Sequence, residues 1–306
     1  MRSSRSEARP LLCAPPLYVW FIVAAMLAAL FFASLPAFNR YNVDEIGFSE
    51  ASAGRLGSFR GRHGEKGLRV LAIGSSLMGK AVFFDGRMEA LAKRQGLTGI
   101  EFMRISRPDG DLSTFMPLLS DMAEAAPDII LIESDSVFYD RHMVKNAFAR
   151  EYMSFLKAML MESLKSKRPV FPKPEQVFIE NDFDLPVKSR LNKVSLDETL
   201  LKWDQRSLAD IEEIAPFFSD LARRGIKAVL VSIPRHPEFE RLAGGHGPET
   251  AVLQKRLERY YGVKSISFQG EAGAECYSDH AHLNGEGRLR FSLWLIEVLK
   301  GGRGVV

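Results

Sequence analysis

The sequence has almost no cysteine. Cys13 and Cys276 are the only two in 306 residues, too few for a disulfide framework, so the fold must be held by its own core. Charge of one sign is missing as well. Lys and Arg total 41 against 38 Asp and Glu, a net +3, which is too small to imply a nucleic-acid partner. No internal repeat or low-complexity tract is present, which excludes solenoids and compositionally biased tails. Metal-ligand clusters are scarce: Asp279, His280 and His282 stand together, with no further cluster to complete a site. A metal-dependent phosphatase or nuclease therefore finds no support, and no cofactor is expected. What remains is the composition of a folded protein, 46% hydrophobic and 26% charged, long enough for one large domain or one domain with an insertion.

The one long apolar run is "LYVWFIVAAMLAALFFASLPAF", residues 17 to 38, without a charge from Leu17 to Leu35. That length meets the requirement for spanning a bilayer. Tyr18 and Trp20 open it, and Arg2, Arg5 and Arg9 precede it. Positive flanks stay cytoplasmic, so a single-pass anchor with its amino terminus inside is expected, with everything after Asn39 exported. The rival reading is a cleaved signal peptide, with Ala33, Ser34 and Ala37 as its small residues; the apolar stretch is long for one. Cys13 precedes the span and is not placed as a lipoprotein cysteine, and the two cysteines fall on opposite sides of the membrane.

Residues 39 to 66, polar and glycine-rich, read as a stalk. Strands and helices then alternate over 67–303. "LRVLAIG", "IEFMRIS", "PDIILIESD" and "IKAVLVSIP" read as strands. "RMEALAKRQG", "LSTFMPLLSDMAEAA", "SLADIEEIAPFFSDLARRG", "ETAVLQKRLERYYG" and "GRLRFSLWLIEVLKGG" read as helices. Continuous apolar strands separated by helices predict a parallel sheet covered on both faces. The alternation breaks at about 140–205, where Pro169, Pro172, Pro174 and Pro186 argue against regular structure. Insertions of this length serve as lids, binding loops or partner surfaces; the alternative is an insertion that only packs on the sheet. As a lid it would cover the serine side of the sheet, and Lys165, Lys167 and Arg168 could meet anionic headgroups or polymer.

Two short blocks carry candidate chemistry. "GSSL", residues 74 to 77, follows the first strand, which aims a hydroxyl out of the carboxyl edge of the sheet, where open α/β sheets hold their ligands. From the residues alone this is equally a turn with a capping serine. "YSDHAHLNGEG", residues 277 to 287, places Asp279 and His282 three apart just before the last helix. A serine hydroxyl needs a base to become a nucleophile, and an imidazole held by a carboxylate supplies one. Asn284 and Gly285 would start the helix and hold that loop. The alternatives are a surface loop that Asp279 caps, or a metal site.

In this order, the two blocks resemble the SGNH (GDSL-like) hydrolase superfamily, whose first block is Gly-Asp-Ser-Leu and whose last is Asp-x-x-His-Leu-Asn. The resemblance implies a flavodoxin-like three-layer α/β/α fold with a parallel sheet, here preceded by a transmembrane helix. It implies Ser76 as nucleophile, His282 as base and Asp279 as its orienting carboxylate. It makes Gly110, in "RPDGD", the candidate backbone donor to an oxyanion. The family's Gly-x-Asn-Asp block is replaced: Glu133 stands for the glycine and Asp135 for the asparagine. An ionised carboxylate cannot donate a hydrogen bond. Protonation of Asp135, a cationic substrate group beside it, or donation by Ser134 or Ser136 are the accounts left open. Arg235 and His236, in "IPRHPE", fall on the same sheet edge as candidates for an anionic substrate, or as an ordinary solvated loop.

An exported, anchored domain of this kind resembles the periplasmic proteins that acylate or deacylate cell-envelope polymers, among them the alginate O-acetylation and teichoic-acid D-alanylation proteins. The expectation is acyl transfer through Ser76 to or from a sugar or polyol hydroxyl of an envelope polymer, with a multi-pass membrane-bound O-acyltransferase as partner. A plain esterase is the near alternative. A non-catalytic scaffold that binds polymer or organises a synthesis complex is the alternative of a different class.

Overall fold

The computed structural model describes residues 16–41, 44–62, 67–108, 110–140, 204–205, 211–243 and 248–301, together with helical residues at 156–157, 159–161 and 163–164. The chain divides into two compact units, Met1–Val43 with Glu151–Pro174, and Asp44–Arg150 with Glu175–Val306. In the first, Leu17–Tyr41 forms a single helix, α1. Among the described residues no helix is long and apolar enough to cross a membrane.

The second unit is an α/β domain. Its strands are β1 (Leu68–Gly74), β2 (Ile100–Ser106), β3 (Ile129–Glu133), β6 (Lys227–Ser232) and β7 (Lys264–Ser267), all paired in parallel in the order β2-β1-β3-β6-β7. A two-stranded antiparallel ribbon, β4 (Tyr139–Asp140) with β5 (Asp204–Gln205), joins the two ends of the insertion. The five-stranded order reverses direction between β1 and β3, and ligands of such sheets bind in the crevice outside the carboxyl ends at that switch point. The Gly74-Ser75-Ser76 turn and the segment 133–136 emerge there.

Alternate residues of each buried strand serve opposite faces. Leu71, Ile73, Met103, Ile105, Ile130, Ile132 and Leu230 build one core. Above it lie α2 (Asp44–Gly61), the segment from α5 (Leu112–Phe115) to α6 (Leu119–Glu124), α8 (Ile211–Arg223) and α10 (Pro248–Tyr261). Val70, Ala72, Phe102, Ile129, Leu131, Val229 and Val231 build the other, against α3 (Ser76–Ala81), α4 (Asp85–Arg94) and α11 (Gly285–Lys300). The result is three layers around a parallel sheet, as expected.

Two expectations need correction. The stalk is not one: residues 44–61 are helix α2, and Phe48, Leu56 and Phe59 are buried in the first core. The helix expected after β2 is instead α5, a 3-10 turn at Met116–Leu118, and α6, because Pro117 lacks the N–H that a continuous helix would use. Most of the insertion at 140–205, including Lys165, Lys167 and Arg168, lies outside the described residues, as do Cys13 and the amino-terminal arginines.

Candidate active site

β1 ends at Gly74, and Ser75 is the amino-terminal cap of α3, its hydroxyl accepting the Leu77 N–H at 3.1 Å. The two adjacent serines therefore point into different surroundings. Ser75 is fully buried and its hydroxyl donates to the Glu133 carboxylate, at 2.6 Å from Oε1 and 2.9 Å from Oε2. Ser76 is half-buried, and its Oγ lies 2.8 Å from Nε2 of His282.

The last block is locked by its own backbone. Ser278 N–H donates to the His282 carbonyl at 2.9 Å, and Asn284 N–H to the Cys276 carbonyl at 2.9 Å. Asn284 caps α11, its side chain accepting from Glu286 and Gly287 N–H at 3.0 Å each. Inside this loop one Asp279 oxygen accepts the N–H groups of Ala281 and His282, at 2.9 and 2.8 Å. The same carboxylate lies 2.8 and 3.0 Å from His282 Nδ1. The three-residue spacing thus lets a carboxylate hold both the loop and the ring. Because that carboxylate only accepts, Nδ1 carries the proton and Nε2 is left to take one from Ser76. Burial pushes the Asp279 pKa up. The hydrogen bond and charge of His282, with the two backbone N–H groups, outweigh burial and hold it well below the usual carboxylate range.

The residues expected to complete the site are placed differently. The Gly110 N–H donates to the Arg107 carbonyl at 3.0 Å, so it is engaged in its own turn and not presented to an oxyanion. The Ser76 N–H has no acceptor among the described residues, whereas those of Leu77 and Met78 are taken by Ser75 Oγ and Glu133. Asp135 is not left for a cationic substrate. Its Oδ2 accepts from Arg235 at 2.6 and 3.2 Å, with both side chains only 5% exposed. Burial opposes the Arg235 charge, but Asp135 beside it, with Glu240 and Tyr139, raises its pKa further. Arg235 is therefore an internal partner and not an exposed anion receptor. The Ser136 hydroxyl donates to the Glu133 carbonyl at 2.7 Å, and the Ser134 hydroxyl lies 3.2 Å from that of Ser232.

His236 packs edge-on against Tyr277 at 5.5 Å, and its Nδ1 accepts the Glu238 N–H at 3.2 Å. Burial lowers its pKa, against the opposing charge of Glu238. Its backbone N–H donates to the His280 carbonyl at 3.1 Å, tying the loop after β6 to the Asp279–His282 loop. His280 itself stacks near Phe239 at 5.5 Å. Among the described residues no group of three or more His, Cys, Asp or Glu is arranged to hold a metal ion.

Sequence reasoning gave Glu133 no role, marking it only as a departure from the family block. A carboxylate ending a wholly apolar strand, beside a strand ending in Gly-Ser-Ser, was the signal.

No family model and no curated protein matches the chain. Solved structures similar to it include a "putative acylhydrolase" from Bacteroides fragilis, at 11% identity and TM-score 0.37 over 78% of this chain and 89% of that one. A GDSL-like lipase from Bacteroides thetaiotaomicron is similar at 12% identity and TM-score 0.39, over 83% of this chain and 99% of that one.

Proposed function

We propose that this protein is a serine acyl-transfer enzyme of the SGNH type, forming an acyl-enzyme on Ser76. The observation that carries the reading is the continuous hydrogen-bonded series from Ser76 Oγ through His282 to Asp279. In the first step the Ser76 oxygen attacks an ester carbonyl while its proton passes to His282 Nε2. Asp279 holds the ring and stabilises the imidazolium. The oxyanion that forms is met by the Ser76 N–H. The alcohol leaves with the proton from His282. A second hydroxyl, from water or from a sugar or polyol, then gives its proton to His282 and takes the acyl group, and His282 returns the proton to the departing Ser76 oxygen.

The acceptor is proposed to be a cell-envelope polymer, and the chain to be held at the cytoplasmic membrane with its domain exported, beside a multi-pass membrane-bound O-acyltransferase. Support for the anchor is the uncharged stretch from Leu17 to Leu35 behind Arg2, Arg5 and Arg9. An alkaline phosphatase fused after the carboxyl terminus is expected to be active; an inactive fusion beside an active cytoplasmic reporter would remove the envelope argument.

The central test is a fluorophosphonate probe on the full chain in detergent, with the labelled peptide mapped. Label on Ser76, lost in Ser76→Ala, is the expected result. Absence of label in the wild type favours the scaffold reading, in which the site binds polymer without turnover. Acyl donor supplied with and without a sugar acceptor then separates transferase from esterase by its products.

A further inference from the structure

Glu133 is a carboxylate with 1% exposure at the end of a wholly buried strand. Burial of such a group is unfavourable unless donors surround it, and the turn that carries Ser76 supplies three of them. Oε2 accepts the N–H of Ser75 at 2.7 Å and of Met78 at 3.0 Å, and both oxygens lie within reach of the Ser75 hydroxyl. Ser75 in turn accepts from Leu77. The backbone on either side of Ser76 is thus fixed to one side chain of the neighbouring strand. The register brings them together, since Ile73, two residues before Ser75, pairs with Ile132, one residue before Glu133. Gly74 completes the fit: a Cβ there would lie 2.6 Å from Glu133 Cβ and 2.6 Å from its Oε2.

A capping serine alone satisfies a short helix, so a buried carboxylate behind that serine has more to do than cap. We propose that Glu133, acting through Ser75, is a positioning residue that fixes the Ser76 turn so that Ser76 Oγ stays on His282 Nε2. Neither residue touches the reacting atoms. This rests on the reading of Ser76 as nucleophile, and a reacting group misplaced by about 1 Å loses on the order of 100-fold in rate.

The test compares wild type, Glu133→Gln, Ser75→Ala and the double variant as full chains in detergent. The readouts are the fluorophosphonate labelling rate constant, and kcat and KM for a nitrophenyl ester, each corrected for the folded fraction measured by urea unfolding. Gln keeps the volume but replaces one acceptor oxygen with a donor facing the Ser75 hydroxyl. Glu133→Gln is expected to slow labelling by roughly tenfold or more and to lower kcat with KM unchanged, the signature of an interaction felt at the transition state. Ser75→Ala should slow labelling about fivefold, the equivalent of one hydrogen bond, and should add little to Glu133→Gln because both act through one carboxylate. Labelling of either single variant at the wild-type rate overturns the inference while leaving the serine mechanism standing. So does a double variant whose losses simply multiply. If Glu133→Gln does not fold, Ser75→Ala alone decides between these outcomes. A wild-type chain that takes no label overturns the serine mechanism and this inference with it.

Discussion

Nε2 of His282 lies 2.8 Å from Oγ of Ser76, across 206 residues of sequence. The contact is made because the strand-to-helix turn after β1 and the loop before α11 both sit at the carboxyl edge of one sheet. Ser75, one residue earlier, faces the interior and Glu133. Replacement of Ser76 by Ala is therefore expected to abolish covalent labelling, with a loss on the order of 10⁶ in turnover by analogy with a serine protease. Ser75→Ala keeps measurable labelling. Mass spectrometry of the labelled peptide checks both. A probe adduct on Ser75 would show that the wrong hydroxyl has been assigned.

Asp279 gives a pH signature. Its folded-state pKa lies below the unfolded value, so its contribution to stability is present above the unfolded carboxylate range of about 4. That contribution is lost as pH falls through the depressed folded value. Asp279→Asn should therefore be less stable than wild type at neutral pH, and the gap should close as pH drops below about 4. Urea unfolding at a series of pH values measures it. A gap that stays constant with pH would mean that Asp279 has the same pKa folded and unfolded, and would overturn the depressed value. Activity should also show no inflection from Asp279 between about pH 3 and 5.

β1, β2, β3 and β6 were legible because fully buried strands are unbroken apolar runs closed by turn residues. The edge strand β7, "KSIS", was not: it is half exposed and has one apolar residue in four. Helix α2 was hidden by Gly54 and Gly57, which suggested a loose linker, although Phe48, Ser52, Leu56 and Phe59 repeat at helical spacing and are all buried. In the site, Ser76, Asp279 and His282 could be read because each sits in a short local block. The Asp135–Arg235 pair could not, since its members are 100 residues apart and meet only because β3 and β6 are neighbours.

The reassignment of α2 has its own consequence. Phe59 is completely buried and also lies under the Arg69 guanidinium, 4.4 Å from ring centroid to Cζ. Phe59→Ala should cost about 3–5 kcal/mol, as for other buried aromatic truncations. A loose stalk would tolerate it with almost no change in the urea midpoint. The same reasoning places any workable amino-terminal truncation before Asp44.

The Asp135–Arg235 pair gives a test of what Asp135 does at the sheet edge. Both side chains are almost fully buried, and Arg235 also stacks over the Phe239 ring at 5.2 Å. Removing one member of a buried pair leaves the other uncompensated, which typically costs about 3–5 kcal/mol. Arg235→Met should therefore destabilise strongly, because the Asp135 charge is stranded in the core. Adding Asp135→Asn should recover most of that loss, since an amide needs no counter-charge and replacing a buried pair by neutral groups is often close to neutral. The comparison is a double-mutant cycle in urea. If Asp135 served instead to hold a cationic substrate group, Arg235→Met would leave stability almost unchanged and tighten binding of a cationic ester. Asp135→Asn in the Arg235→Met background also restores a neutral donor to the sheet edge. A labelling rate per folded molecule above that of Arg235→Met would then show that a donor at this position acts on the reaction at Ser76.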